Sequence, residues 1–432
     1  MTISGRCKAK IYLPVRTCDL LELITDNKWF LLDTEWHWIG EDSLSAAGDD
    51  WPRALRKCVN PSDLRSLAKK RLPFPIFDHI DGGCDDEVTL AANQKEFGRY
   101  HLIPHYCSGV DAVDASTTVL GQKLEWPFFV GPAGGLKYLH PAGEIGMARA
   151  AHNLGTAYSM SGFTTTQPED IAASANEGPR FFQMQPCRSR EVMADMIQLA
   201  KDCGYKALIV TVDNPIHGNR ERDARSGFGL PSNFSLKGWL SIMSHPWWAI
   251  RTLPLPGFGL YDKYMDQPGD LNWLGEQLVT NITFEDLAWI RSQWDGPFAV
   301  KGLVGVQDNR RAVDCGVSAV ILSNQGARHF DTAPATIEML PEVVDAVGDK
   351  IEVILDSGIR RGTDILKAVA LGATACTGAR TNCYALAAGG QRGVERALSL
   401  LRSEVERDMV FLGAATLSDV DHTRIRRAAS HD

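Results

Sequence analysis

The chain has 432 residues, 44% hydrophobic and 23% charged, which suits one large globular domain or two smaller ones. Its formal net charge of −8 offers no basic face for neutralising phosphates, which excludes a general nucleic-acid binder. Ten cysteines without a C-x-x-C pair point away from a zinc site or a disulfide framework and towards a reducing, cytoplasmic setting.

The N-terminus MTISGRCKAKIYL lacks the apolar core of a secretory signal, and no run of about 18 apolar residues could span a bilayer. Residues 1–59 show no clear period and are read as an N-terminal extension, with WFLLDTEWHWIGEDSL a small β-hairpin or cap. From Asn60, a plausible N-cap, the stretch to residue 108 predicts helices leading into the main domain. Eight short apolar runs then follow: FFVGPAG (128–134), AYSMSG (157–162), RFFQMQ (180–185), KALIVTVD (206–213), PFAVKG (297–302), AVILSNQG (319–326), IEVILDSG (351–358) and ATACTGAR (373–380). Segments such as SREVMADMIQLAKDCG lie between them, with apolar residues three and four apart. Continuous apolar strands alternating with amphipathic helices imply a parallel sheet covered by helices. Eight such units predict an α/β fold, a closed (β/α)8 barrel of the TIM type spanning 60–420.

A long insertion at about 214–296 follows strand four and is expected to cover the mouth of the barrel. Within it, residues 236–260 hold three tryptophans and few charges, which reads as a lid or interface, or as a peripheral contact with a membrane surface. The C-terminal pattern LSLLRSEVERDMVFLGAATLSDV closes the barrel as a helix, and 421–432 is a charged tail.

Ligands of such barrels sit at the C-terminal ends of the strands, where this chain places Gln183, Gln185, Thr211, Asp213, Lys301, Ser323 to Arg328, Asp356 to Arg360 and Arg380. Arginines and a lysine converging there make an electropositive mouth in an acidic protein, suited to one or two anions.

The set RLPFPIFDHIDGGCDDEVTL, GPAGGLKYLHPAGE, TVDNPIHGNRERD, FAVKG, SNQGARHFD, DSGIRRGTD and a final GAR resembles the FMN-dependent 2-hydroxy acid dehydrogenase and oxidase family, in order and with matching spacing. That family includes L-lactate dehydrogenases, glycolate oxidase and mandelate dehydrogenase. The resemblance implies FMN as cofactor, with Arg360 and Arg380 on its phosphate and Ala379 where the family has glycine. It implies Lys301 beside the flavin N1–C2 carbonyl, Gln183, Thr211 and Ser161 on the ring, and Ala133 and Gly134 at its other face. Ser323, Asp356 and Gly358 belong to the same matching segments. Arg220 and Arg328 match the arginines that bind a substrate carboxylate, and Asp213 matches the carboxylate that orients the family's catalytic histidine. A homotetramer and a quinone, carrier protein or O2 as electron acceptor are implied in the same way, as is a place on the inner face of a membrane for the branch with a similar insertion.

That histidine is replaced by Gln325, which cannot accept a proton near neutral pH, whereas such a base contributes about 10²–10⁴ in rate. His79 and Gln185 stand where the family has two tyrosines. His79 either takes over as base or is a neutral hydrogen-bonding replacement, and His329 is expected to point away from the mouth. The reading is an FMN-dependent oxidoreductase that oxidises a small anionic substrate, a 2-hydroxy acid or close analogue, by hydride transfer to flavin N5. The alternatives are amine oxidation or oxidative decarboxylation in biosynthesis, another flavin reaction such as desaturation or isomerisation, and a non-redox FMN-binding pseudoenzyme.

Overall fold

The computed structural model describes residues 51–174, 178–229, 232–253, 255–265, 277 and 281–428. The hairpin expected at 29–44 lies outside them.

Eight parallel strands close into a barrel in chain order: β1 (Phe128–Val130), β2 (Tyr158–Met160), β3 (Arg180–Met184), β4 (Ala207–Thr211), β5 (Phe298–Lys301), β6 (Ala319–Leu322), β7 (Glu352–Leu355) and β8 (Ala375–Gly378). Each coincides with one of the eight apolar runs, because a strand covered on both faces has no polar face to show. Alternate residues divide between two cores. Phe129, Phe181, Ile209, Ala299, Ile321 and Ile354 form one cluster inside the barrel, while Phe128, Phe182, Val210, Val300 and Leu355 pack outward with the helices. Val119, Leu120 and Leu124 of a β-hairpin belong to the inner cluster, and the Leu120 N–H donates to Glu352 Oε2 at 2.8 Å, at the start of β7. The N-terminal end of the barrel is therefore plugged, and only the opposite end is left for a ligand.

The crossover helices are α1 (Gly143–Asn153), α2 (Pro168–Ser174), α3 (Arg190–Asp202), α4 (Phe284–Gln293), α5 (Val306–Asp314), α6 (Thr336–Val347), α7 (Gly362–Ala370) and α8 (Arg380–Phe411). Their starts are set locally: the Ser189 hydroxyl accepts from the Val192 N–H at 3.2 Å, and Thr283 and Asp286 form a reciprocal capping box on α4. Thus α4, the outer part of the stretch assigned to the insertion, is the ordinary link from β4 to β5. The remainder of that stretch contains helices Glu221–Ser226, Leu236–Met243 and Pro246–Thr252.

Before the barrel come helices Arg53–Arg56, Pro61–Arg71, Phe74–Asp81 and Val88–Lys95, with Asn60 capping the second by accepting from the Asp63 N–H at 3.0 Å. Trp51 and Leu55 are buried in the main core, and the Arg392 guanidinium lies 4.5 Å from the Trp51 ring centroid. The tail departs from its sequence reading: Ile425–Arg427 pairs antiparallel with Tyr100–Leu102, Leu102 facing Ile425. Backbone pairing makes that strand, so its side chains carry little signal for it.

Candidate active site

One cavity of about 530 Å³ opens at the C-terminal ends of the strands. Ala133 and Gly134 after β1, Ser161 after β2, Gln183 and Gln185 at β3, Thr211 at β4 and Lys301 at β5 line it. So do Gln325 and Arg328 after β6, Asp356, Gly358 and Arg360 after β7, and Ala379 and Arg380 at the β8 to α8 junction. His79, from the helix Phe74–Asp81, and Arg220, before the helix Glu221–Ser226, complete the set. Five cationic side chains therefore face one space in a chain of net charge −8.

Two residues expected at the site are not on this wall. Ser323 is fully buried behind it, accepting from Lys301 Nζ at 3.0 Å and donating to Asp356 Oδ2 at 2.7 Å, so it fixes the lysine. Asp213 lies behind the turn after β5, where a Cβ on Gly302 would meet Asp213 Cβ at 2.5 Å. Both Asp213 carboxylate oxygens are buried with no hydrogen-bond partner among the described residues. Burial, with Asp356 adding and Lys301 opposing, raises its carboxyl to about 6. The reading of His329 is also corrected: it lines the cavity, because Gln325, Gly326 and Ala327 all take positive φ (52°, 61° and 62°) and turn the loop so that both Arg328 and His329 reach the wall.

The groups at the β3 to β5 ends have complementary capacities. Gln183 is fully engaged, its Oε1 accepting from the Gly162 N–H at 3.1 Å and its Nε2 donating to Met184 O and to Thr211 Oγ1 at 3.0 Å. Thr211 therefore keeps its own O–H to donate, as does Ser161, whose Oγ accepts from the Phe163 N–H at 3.2 Å. Lys301 is 4% exposed and is held by Ser323, by Gln325 Oε1 at 2.7 Å and by Asp356 at 3.4 Å.

At the β7 and β8 ends the site is built for an anion. The first turn of α8 presents unpaired backbone N–H groups beside Arg360 and Arg380. Burial, with Arg380 adding, depresses the Arg360 guanidinium below its usual range. Arg380 donates to Ile80 O, Gly326 O and Gly82 O, at 3.1, 2.7 and 2.7 Å, so it also clamps the loops that frame the cavity. Gly358 is required here: its φ is +86°, and a Cβ would meet Asn93 O at 2.0 Å. Two hydroxyl donors, a buried ammonium and a cationic helix start fit FMN, whose ring offers acceptors and whose phosphate is an anion.

The sequence matches the family described as FMN-dependent dehydrogenase over residues 68–427. The chain belongs to this family. It is 36% identical over 376 residues to 2-Hydroxyacid oxidase 1 of Homo sapiens, covering 87% of this chain and 97% of the relative. It is also 36% identical over 367 residues to Glycolate oxidase of Spinacia oleracea, covering 85% and 95%. Among solved structures, the monotopic membrane protein (S)-mandelate dehydrogenase aligns with a TM-score of 0.82 and 31% identity, covering 86% of this chain and all (100%) of that one. As a member of the FMN-dependent dehydrogenase family, this protein is an FMN-dependent oxidoreductase.

On the remaining wall the family member has residues that sequence reading missed. Phe228 packs on His79 with ring centroids 4.4 Å apart, and Asp223 Oδ2 lies 2.8 Å from His79 Nδ1 and 3.1 Å from Arg220 Nε. Arg328 Nη2 lies 3.3 Å from His79 Nε2, and its Nη1 donates to the His79 carbonyl. Asp223 was visible only as the acid three residues beyond Arg220. Nothing local in the sequence marks its bond to a residue 144 positions away.

Proposed function

We propose that this flavoprotein oxidises a small 2-hydroxy acid to the 2-oxo acid, with the substrate carboxylate between Arg220 and Arg328. The observation that carries the reading is the convergence of these two guanidinium groups on the cavity that also holds Lys301, Arg360 and Arg380. Paired guanidinium groups suit a carboxylate, and fixing that end orients the carbon to be oxidised. Bound FMN supplies the two-electron oxidant. Arg360, Arg380 and the start of α8 hold its phosphate in this reading, and Ser161, Thr211 and Lys301 hold the ring. The names of the relatives, a 2-hydroxyacid oxidase, a glycolate oxidase and a mandelate dehydrogenase, point to the same substrate class.

Anaerobic mixing of FMN-loaded protein with 2-hydroxy acids, α-amino acids and amines tests this. Loss of the flavin band with 2-hydroxy acids is expected. Bleaching by amines alone would replace the reading with amine oxidation, which Gln325 favours because a neutral amine needs no hydroxyl proton removed.

A membrane surface is the proposed seat of the insertion. Leu236, Leu240, Met243, Trp247 and Ile250 of helices Leu236–Met243 and Pro246–Thr252 are exposed, Trp247 by 74% and Ile250 by 75%. No helix of the described residues is long and apolar enough to cross a membrane, so the contact would be peripheral. Native protein is expected to sediment with anionic vesicles, and a Trp247→Ser, Ile250→Ser double variant to remain in solution; failure of the native protein to sediment removes the proposal. A cytoplasmic homotetramer that passes electrons to a quinone, a carrier protein or O2 accords with this reading, and light scattering checks its mass.

A further inference from the structure

Proton removal is the step this site leaves unexplained. Gln325 offers nothing basic: its Oε1 is committed to Lys301, which leaves a donating amide. Asp213 is behind the wall, and Asp356 is engaged by Ser323 and Lys301. His329 has its Nδ1 3.4 Å from the Gly218 N–H, and no carboxylate orients its ring among the described residues.

His79 differs from all of these. Its Nδ1 faces Asp223 Oδ2 at 2.8 Å, which places the ring proton on Nδ1 and the lone pair on Nε2. Burial would raise the Asp223 carboxyl, but the bond from His79 and the charges of Arg220 and Arg328 hold it low, so it stands as a carboxylate. Phe228 packs on the imidazole, and the helix carrying it is anchored through Asp81 by Arg65, Arg222 and Tyr384 at 2.6, 3.1 and 2.8 Å. Nε2 accepts from Arg328 Nη2 at 3.3 Å, and Arg328 is one of the two groups assigned to the substrate carboxylate, so a carboxylate that takes over this N–H frees the lone pair.

We infer that His79, oriented by Asp223, takes the proton of the substrate hydroxyl, and that a carboxylate bound by Arg220 and Arg328 is what makes it able to hold that proton. The inference rests on the proposed substrate class. In the step, the substrate O–H bond breaks and an Nε2–H bond forms. Bound FMN would supply the two-electron oxidant, accepting the carbon-bound hydrogen with its electron pair as the carbon–oxygen bond becomes double.

The charged groups facing the ring are Asp223 and Arg220 from the segment after β4 and Arg328 from the loop after β6. Asp78 and Asp81, on its own helix, are turned to Arg222 and Arg65. Burial first, and Arg328 next, push His79 down to about 4, so the ring is neutral near pH 7. An anion over the two arginines cancels the repulsion they exert and raises its proton affinity. Departure of the 2-oxo acid restores the repulsion and expels the proton.

The test uses FMN-loaded protein and oxalate, a dicarboxylate with no hydrogen to lose. Binding is followed by the flavin spectrum, and proton uptake by calorimetry in two buffers of different ionisation enthalpy. The native protein is expected to take up protons on binding oxalate, most strongly at pH values between the free and bound pKa of His79, hence above about 4. His79→Gln should still perturb the flavin spectrum with oxalate while taking up no proton, and Asp223→Asn should move the uptake to lower pH. Oxalate binding without uptake in the native protein, or with undiminished uptake in His79→Gln, overturns the inference and leaves the proposed function standing. Absence of any oxalate effect on the flavin overturns both.

Discussion

At the scale of single residues, Asp213 is a buried charge that the fold is better without. Its carboxyl titrates near 6 against an ordinary value near 4, so the folded chain binds a proton that the unfolded chain has released. For an acid with a raised pKa, stability falls as pH rises through that window and the penalty is complete above about 6. Asp213→Asn is therefore expected to stabilise the FMN-free protein by about 1–3 kcal/mol at pH 7.5, the gain shrinking as the pH falls towards 4. Urea denaturation of both proteins across this range measures it, and a gain independent of pH would show that charge is not its origin. The residue was legible in TVDNPIHGNRERD, but its isolation was not. That depends on the turn at Gly302, distant in sequence, lying against it.

At the scale of elements, the helix Glu221–Ser226 sets the geometry of the anion site. Arg220 precedes it, Asp223 lies within it, and Gly227 ends it with φ +74° and its N–H donating to Asp223 O at 2.8 Å. A Cβ at Gly227 would meet Asn233 O at 1.9 Å, so Gly227→Ala cannot keep this turn. A left-handed non-glycine residue adds about 1–2 kcal/mol of strain besides the clash. The expected result is a large loss of oxalate affinity with FMN affinity preserved, since Arg360 follows β7 and Arg380 opens α8. Titration of the flavin absorbance with oxalate, beside an FMN binding curve, separates the two. Equal loss of both would mean that the turn supports the whole barrel mouth. The strands and their helices could be read from the sequence because burial on both faces leaves continuous apolar runs. This turn could not, because a six-residue helix held by a backbone bond and one glycine has no period to detect.

At the scale of the whole molecule, five cationic side chains share one cavity and repel one another until anions arrive. Burial, then Arg220 and Arg380, push Arg328 down to about 9, a measure of how unfavourably that charge is held among its neighbours. The sequence announced most of this convergence, since Lys301, Arg328, Arg360 and Arg380 follow strand runs and a closed barrel brings all strand ends to one mouth, while Arg220, seven residues past its run, was expected there only from the family resemblance. It could not announce that one member, Arg380, also holds three backbone carbonyls in place. FMN should then act as a structural ligand as well as an oxidant. At a free concentration a hundred times its dissociation constant it adds about 2.7 kcal/mol, which at roughly 1 °C per kcal/mol for a chain of this length raises the thermal midpoint by about 3 °C. Arg360→Ala removes a charge-assisted phosphate contact and is expected to weaken FMN binding about 10- to 100-fold while leaving the midpoint of the FMN-free protein level or higher. Thermal melts of both proteins with and without FMN decide this. A lower FMN-free midpoint in Arg360→Ala would show that this arginine holds the fold together instead of waiting, under repulsion, for an anion.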